Sequence, residues 1–309
     1  MNKILIMLST YNGEKYISKQ LDSLYAQKDV DIHILVRDDG SNDRTIDILN
    51  SYISKYGKMT ILAENNAGAA LSFFALMKYA YENCERYDYY AFCDQDDVWL
   101  PFKLSAGADY LNSSNDKYKL YFSATTIVDN TLNQIGTFIQ PKTFNYKTVL
   151  YRNPALGCTM VFNHKILERS LIIYDYINSD SFDKRYLPLH DAWMFACACY
   201  LDAYIYYDSK ESMLYRQHDN NVTTYNKGLC KKIMLAYKRI KSKPNRHSCF
   251  AKLLMLLNVD VEKNKFLLLC KNYSRSFMDT CRLIKEFDFG YTSTIEKTLW
   301  ICCILLRKF

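Results

Sequence analysis

A chain of 309 residues has room for one large α/β core and a smaller appendage. With 49% apolar and 24% charged residues it is globular and not disordered. The formal charge of +7 is local: from 220 to 259 there is no acidic residue, while Lys227, Lys231, Lys232, Lys238, Arg239, Lys241, Lys243, Arg246 and Lys252 supply nine positive charges, so the remaining 31 basic residues face 33 acidic ones.

The first hundred residues alternate between two hydrophobic periods. Lys3–Ser9 reads as a strand and is followed by a helix with Ile17, Leu21, Leu24 and Tyr25 on one face. Asp31–Arg37 is a second strand, and Ile46, Leu49, Ile53 and Tyr56 mark a second helix. Met59–Ala63 is a third strand, then Phe73, Phe74, Met77, Ala80 and Tyr81 line a third helix before a fourth strand over Tyr87–Cys93. This βαβαβαβ alternation, at about 30 residues per unit, predicts right-handed crossovers and a parallel sheet. In such sheets ligands sit beyond the carboxyl ends of the strands.

The segments after these strands are Ser9-Thr10-Tyr11-Asn12-Gly13, Asp38-Asp39-Gly40-Ser41-Asn42-Asp43, Glu64-Asn65-Asn66-Ala67-Gly68 and Asp94-Gln95-Asp96-Asp97. One acidic residue at a strand end is an ordinary turn or cap, but several acidic clusters on one edge exceed that need. Further on, Tyr121–Val128, Gly157–Phe162, Ala203–Tyr207 and Ser212–Arg216 read as strands, and His190–Leu201 as a helix with Trp193, Cys197 and Tyr200 on one stripe. Beyond Asn220 strand signals stop; Leu229–Ile240, Phe250–Asn258, Phe266–Tyr273 and Thr294–Leu306 read as helices. A boundary near 222 is expected, with a catalytic unit over 1–222 and a basic, mostly helical region over 223–309.

Asp94-Gln95-Asp96-Asp97 is the sharpest chemical signal. Alternate carboxylates at a strand end can face one hard cation, Mg²⁺ or Mn²⁺, which keeps positions open for phosphate oxygens. The blander reading is that Asp96 or Asp97 caps a helix entered through Val98–Pro101. Neither G-x-G-x-x-G nor G-x-x-x-x-G-K-[ST] is present, which disfavours a dinucleotide oxidoreductase and a P-loop NTPase. Asp38 or Asp39 can accept the N3 hydrogen of a uracil or thymine ring, and Tyr11 can stack on it.

Together, Ser9–Glu14, Arg37–Thr45 and Cys93–Trp99 resemble the inverting family 2 glycosyltransferases of GT-A fold over about the first 220 residues. Asp94–Trp99 with Pro101 and Lys103, Asn153–Cys158, and Tyr215–His218 look closest to bacterial rhamnosyltransferase-like members. The resemblance implies a Rossmann-like, mostly parallel sheet flanked by helices and a helical C-terminal appendage. It implies a dTDP- or UDP-sugar donor, gripped by Thr10, Tyr11, Asn12, Asp38, Asp39, Asn66, Asp94 and Gln95, and a metal on Asp94 and Asp96. His218 is a candidate third ligand, and Asp97, Trp99, Gly157, Cys158, His190, Trp193 and Arg216 are candidate acceptor or diphosphate contacts. An inverting transfer needs a general base, which the resemblance places at Asp191 in His190-Asp191-Ala192-Trp193; His190 is a candidate on chemical grounds alone. Helix capping is the competing role for Asp191. Glu64–Gly68 departs from family members that carry a basic residue near this point.

Rival readings are a non-catalytic nucleotide-sugar-binding protein of the same fold, or a nucleotidyltransferase, which would show a glycine-rich basic loop after the first strand. The basic stretch 227–252 suits either an anionic membrane surface or a solvated helical face. No nucleic-acid module accompanies it. The scattered cysteines, the short opening apolar run and the lack of a stretch of roughly 18–20 apolar residues point to a reduced, cytoplasmic protein that does not span a membrane, with peripheral attachment at its inner face as an option. A glycan acceptor that is lipid-linked would give such attachment a purpose.

Overall fold

The computed structural model describes residues 1–139, 144–150, 153–218, 246–287 and 294–305. Its centre is a nine-stranded mixed sheet. The amino-terminal half supplies β1 (Asn2–Thr10), β2 (Val30–Asp38), β3 (Met59–Ala63) and β4 (Tyr89–Asp94), all parallel, with β1 between β2 and β4. The crossovers are α1 (Ile17–Tyr25), α2 (Thr45–Tyr56) and α3 (Ala69–Asn83). β1 and β4 are continuous apolar runs because both faces of a parallel sheet are covered, so Ile4, Leu5, Ile6, Met7 and Leu8 are all fully buried. Along the helices the predicted stripes hold for Ile17, Leu21, Leu24, Leu49, Phe73, Phe74, Met77 and Ala80, whereas Tyr56 and Tyr81 are exposed.

The second half adds β5 (Val98–Trp99), α4 (Lys103–Asn112), β6 (Lys119–Val128), β7 (Gln134–Phe138), β8 (Val161–Asn163), α5 (His164–Ser170), α6 (Tyr174–Asn178), α7 (His190–Tyr200) and β9 (Tyr204–Arg216). β8 runs antiparallel to both β4 and β6, so β6 points the same way as β4, and β9 lies parallel to β6. The carboxyl ends of β1, β2, β3, β4, β6 and β9 therefore share one rim.

Two strand expectations need correction. Gly157–Thr159 is a 3-10 turn, and extended chain begins only at Val161. Ala203–Tyr207 and Ser212–Arg216 are one strand, β9, whose pairing with β6 shifts register between Ser123 and Thr126. The capping role for Asp96 or Asp97 also falls. Val98 and Trp99 pair with Leu214 and Met213, and the next helix starts only at Lys103 after Phe102. α7 carries no single stripe, since every residue from Trp193 to Tyr200 is buried.

The carboxy-terminal region is helical among the described residues: α8 (Arg246–Met255), α9 (Val261–Asn272), α10 (Phe277–Glu286) and α11 (Thr294–Leu305). The expected helix over 229–240 and the boundary near 222 lie outside the described residues. Ala251, Leu253, Leu254, Phe266, Leu267 and Leu283 join the same buried cluster as Trp193, Phe195 and Tyr200, so this region shares a core with the residues before it. Lys263 fixes the junction by donating to the Tyr200 carbonyl at 3.1 Å and pairing with Asp202.

Gly107 sets how closely α4 can lie on the sheet. A Cβ there would stand 2.9 Å from Val161 Cγ2 and 3.2 Å from Tyr121 Cδ1. Gly107→Val is expected to destabilise by about 3 kcal/mol through overpacking, a fall of roughly 6–12 °C in Tm by thermal melting. An unchanged Tm would show that α4 stands further off.

Candidate active site

The rim brings the predicted groups together through strand register. Thr10 lies opposite Asp38 in the β1–β2 pair, and Ser9 opposite Asp94 in the β1–β4 pair. Both neighbours of β1 thus end in a carboxylate, one residue apart along β1.

The two acidic groups after β2 are engaged by the protein itself. Asp38 accepts from Thr10 Oγ1 at 2.9 Å, from the Ser41 hydroxyl at 2.6 Å and from the Ser41 amide at 2.8 Å. Asp39 accepts the Ala67 and Gly68 amides, each at 2.8 Å, and pairs with Arg37. Both are 2% exposed, so they shape the pocket by tying its loops together and leave little surface for a base. Asn12, at φ 48°, donates its amide to Ser41 Oγ and accepts the Asn42 amide, lacing the first two loops. Asn66 is exposed on the third. Gln95 spends both ends of its amide on the Tyr11 backbone, accepting from its N–H at 2.8 Å and donating to its carbonyl at 3.0 Å. That clamp leaves the Tyr11 ring 46% exposed on the rim, as a stacking platform requires. It also depends on glycine at position 13, where a Cβ would stand 2.3 Å from Gln95 Oε1 and displace the clamp.

The second acidic set is differently placed. Asp94 closes β4 and is half-buried; burial first, then the Asp96 and Asp191 carboxylates, push its carboxyl up to about 7. Asp96 Oδ2 lies 2.6 Å from His218 Nε2, and the His218 ring stacks on Tyr16 with centroids 5.2 Å apart. Asp96 and His218 thus meet from the ends of two strands, and the repulsion that Asp96 exerts on Asp94 is one that a divalent cation would relieve. Asp94, Asp97 and Cys158 also lie within 4.8 Å of one another. Burial holds the Cys158 thiol well above its ordinary range, and Asp97 Oδ1 is taken by the Arg216 amide, so this trio suits Mg²⁺ or Mn²⁺ less well.

Asp191 sits in the first turn of α7, where Leu189 is the flanking cap residue. Its carboxylate accepts the Ala192 amide at 2.6 Å and also a bond from the Gly157 backbone; burial nevertheless pushes it up to about 6. Gly157 has to be glycine, since a Cβ would stand 2.6 Å from His190 Nε2 and 3.1 Å from Asp191 Cβ.

Several expected contacts prove to be framework. His190 stacks on Phe73 at 3.7 Å and meets the edge of Phe92, and burial pushes its imidazole down to about 3. A ring that stays neutral at working pH, with both nitrogens enclosed, is not positioned to collect a proton, so the base assignment to His190 fails. Trp193 is fully buried and donates to the Ser170 carbonyl. Trp99 and Cys158 are 2% and 1% exposed, respectively, which removes both as acceptor contacts. Arg216 is 1% exposed: Nε donates to the Asp96 carbonyl at 2.8 Å, Nη1 to the Asn130 carbonyl at 2.7 Å, and the guanidinium lies over the Tyr16 ring at 4.7 Å. It is a strut between loops and not an exposed diphosphate grip. Tyr16 and Asn130, which hold this strut and each other through a 3.1 Å bond, belong to no motif that the sequence displays.

Comparison with known proteins fits this geometry. Residues 5–170, more than half the chain, match the family described as Glycosyl transferase family 2. The chain is 32% identical over 220 residues to the dTDP-rhamnosyl transferase RfbG of Shigella flexneri, covering 69% of this chain and 72% of that protein. It is 29% identical over 170 residues to an Escherichia coli UDP-Glc:alpha-D-GlcNAc-diphosphoundecaprenol beta-1,3-glucosyltransferase, WfgD, covering 55% and 61%. Among solved structures, S. aureus TarS 1-349 in complex with UDP-GlcNAc superimposes with a TM-score of 0.58 at 16% identity, over 99% of this chain and 82% of that one. That likeness establishes the GT-A architecture. The chain belongs to glycosyl transferase family 2.

Proposed function

We propose that the protein is an inverting hexosyltransferase. It moves a sugar, with rhamnose favoured, from a dTDP- or UDP-sugar to a hydroxyl of a growing, lipid-linked glycan in cell-surface polysaccharide biosynthesis. The observation that carries the reading is the closeness of the Asp191 carboxylate to Asp94, whose proton affinity it helps to raise, beside a glycine that leaves no side chain in the way. The rhamnosyl relative supports the donor, and the diphosphoundecaprenol relative supports the acceptor class.

In this reading Tyr11 stacks on the base while Asp38 and Asp39 hold the surrounding loops in place. Asp94, Asp96 and His218 would hold Mg²⁺ or Mn²⁺, whose charge offsets that developing on the leaving diphosphate. Asp191 accepts the proton of the acceptor hydroxyl as its oxygen attacks the anomeric carbon opposite the diphosphate. The bond to the sugar forms on one face as the bond to phosphate breaks on the other, which inverts the centre. Burial that raises Asp191 brings its proton affinity nearer to working pH, as an effective base needs.

The basic segment 227–252 supports attachment to an anionic membrane surface. On α10, Phe277 and Met278 are 71% and 76% exposed and share the outward side with Cys281, Arg282 and Lys285, an apolar edge followed by cations. No described helix is long and apolar enough to cross a membrane.

Asp191→Asn should lower kcat at least about a hundredfold with nucleotide affinity retained. In the unchanged protein kcat/KM should rise with pH through about 6 and then level, because the base works only when deprotonated. Sugar transfer near the normal rate by the Asp191→Asn protein would remove the assignment. EDTA should abolish turnover of dTDP- and UDP-sugars and Mn²⁺ should restore it, with Asp96→Asn raising the Mn²⁺ needed for half-maximal rate at least about tenfold. Equal donor uptake after the cation is stripped would refute the metal site. Finally, the protein should sediment with phosphatidylglycerol vesicles in dilute buffer and be released at about 0.5 M salt, where charge attraction is screened; failure to bind in dilute buffer would exclude membrane attachment.

A further inference from the structure

The edge of the sheet opposite the catalytic rim holds a polar concavity of its own. β1, β4 and β6 begin there and β8 ends there, and between them and the residues that open α5 lies a cavity of about 370 Å³. None of its lining residues belongs to the donor or acceptor groups described above. Arg86, Lys119 and Lys165 face a single carboxylate in its lining, Asp88, so the cavity is positive even with His164 neutral. Asp88 is partly committed elsewhere, accepting the Lys3 amide at 2.8 Å, and Glu85 beside Arg86 pairs with the Lys3 ammonium at 3.4 Å. The cations differ in what they have left to give. Lys119 Nζ donates to the Leu111 and Ser114 carbonyls, and Lys165 pairs with Glu168 at 2.9 Å, so both supply charge more than donors. The Arg86 guanidinium, exposed on the loop between α3 and β4, has no hydrogen bond or ion pair among the described residues.

His164 adds a donor of set direction. The Tyr90 hydroxyl oxygen accepts the Tyr87 amide at 3.2 Å, so its own hydrogen is directed to His164 Nδ1, 3.0 Å away. The ring proton therefore resides on Nε2, which has no hydrogen-bond partner among the described residues. Burial first, and then the Arg86 charge, holds the imidazole below its ordinary range, and the neutral tautomer persists at working pH. A guanidinium with unspent donors, one N–H of fixed orientation and two ammonium charges complement a tetrahedral oxyanion, which arginine grips through paired N–H bonds. We propose that this cavity is a separate anion site that takes a phosphate group on Arg86 and His164, with Lys119 and Lys165 supplying the surrounding field. A soluble phosphate or diphosphate and a lipid headgroup offer the same chemistry, and the concave shape between strand ends favours the soluble form.

The test uses the full chain, stripped of divalent cations and dialysed, so that the carboxylates of the catalytic rim repel phosphate and uptake reports the cavity. Inorganic phosphate and pyrophosphate, titrated by calorimetry at constant ionic strength, should bind with a Kd of about 1 mM or tighter. Arg86→Ala should weaken that binding at least about tenfold, and His164→Phe, which keeps a ring against Tyr81, about fivefold, as loss of a charged and of a neutral hydrogen bond requires. Arg185→Ala, which removes an exposed arginine outside the cavity, should leave the affinity as it is. If the soluble anions do not bind but Arg86→Ala cuts sedimentation with phosphatidic acid vesicles about fivefold, and Arg185→Ala does not, the phosphate is that of a lipid headgroup. Unaltered phosphate affinity in the Arg86→Ala protein would overturn the proposal. So would failure of both anions to bind together with equal vesicle sedimentation by the two arginine variants.

Discussion

The hydrogen-bonded register of β1 between two parallel neighbours is the constraint on which the site depends. Parallel strands joined by right-handed crossovers must all finish on one rim, and here the pairing of Thr10 with Asp38 and of Ser9 with Asp94 fixes how level that rim is. A single-residue slip would exchange the two packed faces of each strand, so the fit of the apolar runs of β1 and β4 into the two cores on either side protects the alignment of the carboxylates. The acids are gathered by the burial of Ile4–Leu8 and Tyr90–Cys93, not by attraction for one another.

Once gathered, the acids divide into two kinds. Asp38 receives an amide and two hydroxyls, Asp39 two amides and Arg37, and both are thereby satisfied within the protein. Asp94, Asp96 and Asp191 lie within electrostatic reach of one another: burial first, and then the other two carboxylates, raise Asp94 well out of the ordinary carboxylate range. That imbalance separates framework from chemistry better than residue type does. It also accounts for His190, whose imidazole packs between phenyl rings beside Asp191 and so shapes the pocket without exchanging protons.

The second half of the chain closes the site by a return strand. β9 comes back parallel to β6 and carries Arg216 and His218 to the turn after β4, where β5 pairs with it over two residues. Arg216 then bridges Asp96 and Asn130 beneath Tyr16, so three loops distant in sequence form one rigid lip. α8, α9 and α10 buttress α7 from behind through the shared core, which ties the position of Asp191 to the helices of the carboxy-terminal region.

From sequence alone, the four amino-terminal strands, their helices and the rim of polar ends were legible, because period-two and period-3.6 patterns and short loops are local properties of the chain. Family membership was legible for the same reason: Asp94–Trp99 and His190–Trp193 are contiguous segments. What the chain order could not reveal was which of these polar residues point outward. Arg216, Trp99, Trp193 and Cys158 sit in motifs, yet are enclosed, since their exposure is set by β5, β9 and α7 arriving from 50 or more residues away in most cases, a distance across which no periodic signal survives. The same holds for Gly157–Thr159, whose apolar run resembles a strand but whose backbone must turn to bring Gly157 against Asp191. Local propensity thus determined the elements and the rim, and only tertiary packing decided which side chains on that rim are left to do chemistry.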